Sequence, residues 1–196
     1  MYENSTLRVN YDIYLKGVMV LNIWHDISPK RIQSDNFIAV IEISKGSKNK
    51  YELDKDTGLL SLDRILYTST HYPASYGFIP RTYAEDGDPL DVLVLCSESI
   101  LPLTIVQCYP IGAISMLDSG DADEKIIAVP YQDPNYHSYT DISQLPPHVF
   151  NEMTHFFTVY KELEGKQTAV SEMKGAEEAK QIIQKAIDTY VDRFCR

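Results

Sequence analysis

The chain has 196 residues, of which 44% are hydrophobic and 23% charged, and its formal net charge is −10. This length suits one domain with its own core, and no apolar run reaches the roughly 18 residues that a membrane span needs. The acidic balance argues against a protein that binds the nucleic-acid backbone directly, because that task needs a basic surface.

The cysteines and the N-terminal segment bear on the cellular compartment. Cys96, Cys108 and Cys195 are an odd number and include no CxxC pair, which is typical of reduced thiols in the cytoplasm rather than of a disulfide framework. The apolar stretch at residues 18–24 is too short for a secretory signal and contains Asn22. We therefore expect a cytoplasmic protein.

Residues 1–36 are predicted to be an N-terminal extension with at most one short strand, at 18–23, and residues 37–196 to be the single domain. From Phe37 onward, short runs rich in β-branched and aromatic residues alternate with turn residues, which is typical of strands. The predicted strands cover 37–43, 50–53, 59–63, 92–95, 104–108, 111–116 and 126–129. Short strands at this spacing indicate a closed or nearly closed barrel.

Two helices are predicted after the strands. The first begins after Leu145, Pro146 and Pro147, since prolines suit a helix entrance, and its apolar positions recur at helical spacing as far as Leu163. The second follows Gly175 and covers residues 176–194. Both should pack against the outside of the barrel, which gives an α+β fold that is mainly β.

The most informative segment is the acidic turn at residues 85–91, which leads directly into the strand at 92–95. Gly87 permits an unusual backbone and Pro89 cannot donate to a β ladder, so the turn directs Asp86, Asp88 and Asp91 toward a common space. Hard oxygen ligands of this kind suit Mg²⁺, Mn²⁺ or Ca²⁺. A solvated acidic turn is the alternative.

A calcium-binding EF-hand is a narrower alternative for this segment, but its pattern fails. Glycine and proline occupy the second and fourth positions of the loop, and Ser97 stands where the twelfth-position glutamate belongs.

Two further groups of carboxylates lie elsewhere in the chain. Asp118, Asp121 and Asp123 lie between two apolar strands, where a flexible charged hairpin is the ordinary interpretation. Glu42 interrupts the first predicted strand although both faces of that strand are apolar, and a buried carboxylate is costly unless it is paired or bound to a metal.

Cations and phenols accompany these acids. Taken singly, each is more often a surface charge or a half-buried tyrosine, and only their joint occurrence is informative. They are Lys50, which alternates with Glu52 on one strand face, Arg64 at the end of the third strand, Lys125, Tyr160 and Lys161.

At this point the sequence resembles the family I soluble inorganic pyrophosphatases. Their signature, Asp-x-Asp-Pro-hydrophobic-Asp-hydrophobic, is matched by residues 86–92. Further matches follow in family order, at residues 40–43, 50–54, 63–64, 72–73, 76–80, 126–130 and 156–161. The resemblance extends from about Trp24 to the C-terminus.

The resemblance implies an OB-like five-stranded β-barrel core with extra strands and two outer helices. It also implies the hydrolysis of pyrophosphate to two phosphates, in which a metal-bound water or hydroxide attacks phosphorus in line. The implied cofactor is Mg²⁺, several ions of it, with Mn²⁺ as a plausible substitute. The implied assembly is a homo-oligomer, with no nucleic acid and no membrane as partners.

The resemblance further assigns roles to particular side chains. Asp88 is the implied base, and Arg64, Tyr160 and Lys161 stabilise the leaving phosphate. Glu42, Asp86, Asp91, Asp118 and Asp123 are the implied metal ligands, with Glu52 and Tyr72 in support. The implied substrate-binding residues are Lys50, Arg64, Tyr76, Lys125, Tyr160 and Lys161.

One departure from the family concerns Ser119, since many bacterial members have a glutamate there.

A phosphate substrate agrees with the net charge of −10 only if bound cations invert the sign of the site. Two rival functions remain: a catalytically silent module that binds phosphate or calcium, and an oligonucleotide-binding barrel. The retained Asp88 argues against the first, and the acidic charge argues against the second.

Overall fold

The computed structural model describes residues 22–55, 57–118 and 120–195. The nine strands within them are β1 (Ile32–Gln33), β2 (Asn36–Ile43), β3 (Asn49–Leu53), β4 (Leu60–Ile65), β5 (Ser75–Phe78), β6 (Asp91–Val94), β7 (Ile105–Asp118), β8 (Asp121–Pro130) and β9 (Thr168–Gly175). The two α-helices there are α1 (Pro147–Val159) and α2 (Ala176–Phe194). Single 3₁₀ turns cover Pro29–Arg31, Ile142–Gln144 and Glu162–Glu164.

The large sheet closes on itself. Its strand order is β1-β2-β5-β6-β8-β7-β9, and β2 also pairs with β7, so that β2, β5, β6, β8 and β7 form a ring. All these pairings are antiparallel except the parallel pair of β6 and β8. The predicted α+β, mainly β fold with a five-stranded barrel core is confirmed, and β3 and β4 form a separate hairpin.

Both faces of the barrel wall are buried. Successive residues of a strand point to opposite sides, so neighbouring residues pack in different clusters. On β6, Leu93 belongs to a cluster that includes α1 residues such as Phe157, whereas Val92 packs in a cluster with α2 residues such as Ile183. All four of these side chains are essentially inaccessible to solvent. The two helices therefore pack against the sheet through different hydrophobic clusters.

The long strand β7 differs from prediction, since two separate strands were expected at 104–108 and 111–116. The chain stays extended through Pro110 because the β7–β8 register shifts between Pro110 and Gly112. Such a bulge accommodates a residue that has no N–H to donate.

The sequence also missed β1, β5 and β9 and placed the end of α1 too late. β5 is short and contains Gly77, and β9 is a polar edge strand that pairs only with β7 among the described strands. The helix α1 ends at Val159, and a 3₁₀ turn follows that closes on Gly165 at φ 72°. Helix α2 has its predicted bounds.

Part of the predicted N-terminal extension packs on the domain. Trp24 is 6% exposed, and its indole N–H donates to the carbonyl of Thr82 at 2.9 Å. Its ring also meets Phe194 of α2 edge-on, at 5.4 Å between centroids. Of the short strand predicted at 18–23, residues 18–21 lie outside the described residues, and Asn22 and Ile23 are not in a strand.

No helix among the described residues combines the length and the apolar character needed to cross a bilayer.

Candidate active site

A cavity of about 550 Å³ lies among the β3–β4 hairpin, the acidic turn and the facing ends of β7, β8 and α1. Every predicted site residue lines it except Arg64 and Tyr72. The lining consists of Trp24, Glu42, Lys50, Tyr51, Glu52, Leu53, Asp54, Lys55, Tyr76, Phe78, Asp86, Asp88, Pro89, Asp91, Asp118, Asp123, Lys125, Tyr160 and Lys161.

The acidic turn is shaped by its own backbone. Gly87 has φ 88°, in the left-handed region that favours glycine, and its N–H donates to the carbonyl of Ala84 at 3.1 Å. The N–H of Asp88 donates to Oδ1 of Asp86 at 3.0 Å. Asp91 then begins β6, so all three aspartates of the turn face the same cavity.

Lys125 is the buried centre of the site. Its side chain is 3% exposed, and Nζ donates to Oδ2 of Asp91 at 2.7 Å and to both carboxylate oxygens of Asp123 at 2.9 Å. Nζ also contacts the Tyr76 hydroxyl at 3.1 Å, and that hydroxyl donates to Asp91. Burial lowers the pKa of Lys125, but Asp91 and Asp123 outweigh it and raise the pKa above its ordinary value.

The register of β6 and β8 brings this group together. The two strands run parallel, with Asp91 opposite Lys125. Because side chains alternate along β8, Asp123 lies on the same face as Lys125. Two segments that are distant in sequence therefore place two carboxylates on one ammonium group.

Three carboxyl groups carry an electrostatic cost. Burial raises the pKa of Glu42 to about 8, with Asp91 and Glu52 adding to the rise, although the Leu53 N–H donates to Oε1 of Glu42 at 2.7 Å. Burial also raises the pKa of Asp86, as do Asp91, Asp88 and Asp123. The pKa of Asp123 is raised by burial and by Asp91 in spite of Lys125.

Surplus negative charge of this kind fits a site for divalent cations, since the donors are hard carboxylate oxygens. Within the described ranges, no three acidic, histidine or cysteine side chains are already assembled in a way that could hold one ion. Lysines pair with the carboxylates instead: Lys50 with Glu52 and Asp63, and Lys161 with Asp118.

The two tyrosines of the predicted set are well buried. Burial raises the pKa of Tyr160, whose side chain lines the cavity at the end of α1. Tyr72 is 2% exposed and does not line the cavity; its ring lies 5.4 Å from that of Tyr76 and 4.8 Å from that of Phe156. Tyr72 therefore lies behind Tyr76, a location that suits the supporting role predicted for it.

Arg64 is the second predicted site residue, after Tyr72, that the structure places apart from the cavity lining. It lies opposite Lys50 in the β3–β4 register. Its Nε donates to Oε1 of Glu164 at 2.8 Å, and Nη1 donates to Oδ2 of Asp63 at 2.5 Å. Its Nη2 is buried, with no hydrogen-bond partner among the described residues. That atom retains donors for an anionic group.

Sequence reasoning missed several residues of the cavity. Lys55 forms an ion pair with Asp88, and Asp54 lines the wall beside it. Their signal was present, because Asp54 ends the matched stretch at 50–54 and Lys55 directly follows it, but a charged residue in a hairpin loop is ordinarily solvated. Glu164, the partner of Arg64, lies beyond the predicted end of α1. Ser119, which departs from the family, lies outside the described residues.

Comparisons with known proteins bear on the family of the chain. The family model described as inorganic pyrophosphatase matches residues 39–191. The chain is 51% identical to soluble inorganic pyrophosphatase 2 of Chlamydomonas reinhardtii over 87% of its own length and 89% of the relative's. It is also 51% identical to soluble inorganic pyrophosphatase PPA1 of Solanum tuberosum, over 86% and 80% of the two chains.

Solved structures agree as well. The inorganic pyrophosphatase of Thermus thermophilus superposes with a TM-score of 0.80 at 37% identity, covering 87% of this chain and 99% of the other. The inorganic pyrophosphatase of Helicobacter pylori gives a TM-score of 0.78 at 38% identity, with 89% and 99% covered. The chain therefore belongs to the family I soluble inorganic pyrophosphatases, as the sequence predicts.

Proposed function

We propose that this protein hydrolyses pyrophosphate to two phosphates, with Mg²⁺ as its natural metal and Mn²⁺ as a substitute. The observation that supports this most is the convergence of carboxylates and lysines in one cavity of about 550 Å³. A cavity of one charge sign would suit either a cation or a phosphate alone, whereas both kinds of group together suit a metal–phosphate substrate.

The candidate metal ligands are the carboxylates that bear the surplus charge. Asp86, Asp91 and Asp123 are the main ones, because they meet at the acidic turn and across the parallel strand pair. Glu42 and Asp118 are further candidates, and Glu52 supports the same group from β3. When bound, divalent cations supply neutralisation of the phosphate charge and a more acidic water.

Asp88 is the proposed general base. It lies on the same turn as the ligand candidates Asp86 and Asp91. Its side chain is 58% exposed, and its ion-pair partner is Lys55 rather than the buried Lys125. An accessible carboxylate can accept a proton from the water that attacks phosphorus and then release it to solvent.

The cations are proposed to bind the two phosphates. Lys50 and Lys125 contact the phosphate that is attacked, while Arg64, Tyr160 and Lys161 stabilise charge on the departing one. Tyr76 shapes the pocket between them. The lysines already have carboxylate partners here, and phosphate oxygens offer these ammonium groups the same kind of contact.

The direct test is phosphate release from pyrophosphate with Mg²⁺, with Mn²⁺ and with EDTA, and with ATP as a competing substrate. We expect rapid release with Mg²⁺, slower release with Mn²⁺, none with EDTA, and little competition from ATP. Binding of pyrophosphate without release of phosphate would instead support a silent binding module.

Asp88→Asn tests the mechanism separately. The loss of a positioned base typically lowers the rate by about 10²–10⁴-fold. We expect a fall of that size in kcat with an unchanged thermal melt, because Asp88 is exposed. A kcat close to that of the wild type would exclude Asp88 as the base.

A cytoplasmic location and a homo-oligomeric assembly are proposed as well. The three cysteines are free thiols, and Cys108 is buried, as suits a reducing compartment. Sedimentation velocity at micromolar concentration tests the assembly: a single species at the mass of the chain, 22.3 kDa, would contradict it.

A further inference from the structure

Lys55 lies just beyond the hairpin strand β3, two residues after its last residue, Leu53, and reaches across the cavity to the acidic turn. Its Nζ contacts Oδ1 of Asp88, which is the proposed base. The same Nζ lies 5.1 Å from the centroid of the Trp24 ring, within the range of a cation–π contact. Lys55 thus joins an aromatic face on one side to the reactive carboxylate on the other.

Trp24 is a rigid support for this ammonium group. Its ring is 6% exposed, its N–H is bonded to Thr82, and His25 stacks on it at 4.6 Å between ring centroids. The side-chain amide of Asn22 also donates to the carbonyl of Lys55 at 3.3 Å. The segment around Trp24 precedes the stretch that the family model matches, residues 39–191. It nonetheless reaches the active cavity.

Lys55 differs from the other lysines of the cavity. Lys50, Lys125 and Lys161 have side chains that are 19%, 3% and 12% exposed, and they pair with carboxylates outside the role of base. Lys55 is 43% exposed and pairs with Asp88. Its contact therefore bears on proton transfer and not on the metal ligands.

An exposed carboxylate has several rotamers available, and only some of them direct an oxygen at the attacking water. The backbone N–H of Asp88 is already bonded to Asp86, which fixes the turn but not the carboxylate. Lys55 engages Oδ1, so that Oδ2 is the oxygen it leaves for the water. Holding a reacting group in its productive geometry accelerates reactions.

We propose that Lys55, supported by the face of Trp24, is a positioning residue that holds the carboxylate of Asp88 toward the attacking water. The proposal rests on the proposed function, in which Asp88 accepts the proton of that water. It predicts an effect on the chemical step, with little change in substrate affinity.

The test compares Lys55→Gln and Lys55→Arg with the wild type in steady-state hydrolysis of pyrophosphate at saturating Mg²⁺. We expect Lys55→Gln to lower kcat about fivefold, the size typical of an exposed charge pair, and to leave KM within about twofold. Lys55→Arg keeps the charge and stacks on aromatic rings, and should restore most of kcat.

Three results would overturn the proposal. An unchanged or increased kcat in Lys55→Gln would mean that the ammonium group does not assist the base. A change confined to KM would make Lys55 a substrate-affinity residue. An arginine variant as slow as the glutamine variant would also contradict the proposal, because a positive charge at this position would then fail to restore kcat.

Lys45→Gln is the matched control, since it removes the same charge from an exposed residue that does not line the cavity. Its kcat should equal that of the wild type. Thermal melts of all variants check that the substitutions of Lys55 leave the protein folded.

A second background separates this inference from the proposed function. In Asp88→Asn, assayed at high enzyme concentration, Lys55→Gln should have no further effect on the residual kcat. An equal fivefold loss in both backgrounds would show that Lys55 acts independently of Asp88. A wild type that fails to hydrolyse pyrophosphate, or an Asp88→Asn variant of normal activity, would instead contradict the proposed function.

Discussion

At the scale of single residues, Glu42 carries a cost that depends on pH. Its side chain lies within β2, where both strand faces are buried, and burial is the main reason that its pKa rises to about 8. Without divalent cations, the native state keeps this proton between about pH 4.5 and 8, where the unfolded chain has released it. The free energy of unfolding therefore declines as the pH rises through this window.

Glu42→Gln should remove that decline. The glutamine keeps an oxygen to accept the Leu53 N–H but has no proton to lose. In EDTA, the variant should gain stability over the wild type progressively from pH 5 to pH 8, and no further above that. Urea denaturation at several pH values measures this, with exposed Glu98→Gln as the control. A stability difference between Glu42→Gln and the wild type that does not change with pH would contradict the assignment of the decline to Glu42.

Arg64 is a second residue whose surroundings suggest a test. Its guanidinium is fixed by Glu164 and Asp63, whose side chains are 10% and 31% exposed, while Nη2 is buried and retains its donors. A lysine has no planar fork and cannot keep both partners while reaching a phosphate.

Arg64→Lys should therefore lower kcat more than it raises KM, because the contact we propose for Arg64 is with the leaving phosphate in the transition state. Hydrogen bonds to charged groups contribute about 1.5–3 kcal/mol, so we expect a fall of roughly 10-fold or more. Steady-state kinetics measure it, with Arg31→Lys, an exposed site, as the control. A change in KM alone would mean that Arg64 binds the substrate and the transition state equally well.

At the scale of elements, the close approach of β2 and β5 depends on Gly77. A Cβ built there would lie 1.9 Å from the carbonyl oxygen of Val40 and 2.9 Å from Cα of Ile41. These are backbone atoms of the neighbouring strand, so no side chain can move aside. The two neighbours of Gly77 on β5, Tyr76 and Phe78, both line the cavity.

Gly77→Ala should therefore force the two strands apart and cost about 3 kcal/mol or more of unfolding free energy. Urea denaturation measures this. Gly46→Asn is a suitable control, because a Cβ there meets nothing within 4 Å and asparagine tolerates the φ of 83°. Equal stability of the two variants would mean that the β2–β5 pair adjusts more easily than its backbone contacts indicate.

At the scale of the whole molecule, the net charge is −10, and the pKa values of Asp86 and Asp123 are raised first by burial and further by neighbouring carboxylates. Both observations point to an electrostatic cost that a bound cation relieves. Ions that bind only the native state stabilise it by mass action. At about 100 times Kd the gain is about 2.7 kcal/mol, which for a chain of this size raises Tm by roughly 5–10 °C.

The variants Asp86→Asn and Asp91→Asn should both reduce this Mg²⁺-induced rise in Tm, but their metal-free forms should differ. Asp86→Asn relieves repulsion and should melt at or above the wild type in EDTA. Asp91→Asn removes a carboxylate from the buried Lys125 and should melt below it. Thermal melts with EDTA and with Mg²⁺ measure both. An unreduced Mg²⁺ effect in both variants would contradict the assignment of these ligands.

The sequence by itself determined the features whose signals are local. The helical period of α2, the β-branched runs of β2 and β8, and the aspartates around Pro89 each lie within a few residues, and each is a pattern that physics ties to one structure. Together with the matched motifs, they sufficed to predict the barrel, the family and most of the cavity lining.

Only the tertiary structure decided the features that join distant segments. The parallel register that sets Asp91 against Lys125, the polar edge strand β9, the pairing of Arg64 with Glu164, and the reach of Lys55 to Asp88 involve partners that chain neighbours do not predict. Whether a polar segment forms a strand, and which carboxylate a lysine pairs with, depend on what the closed sheet places opposite them. That choice is made by the packing of the whole chain.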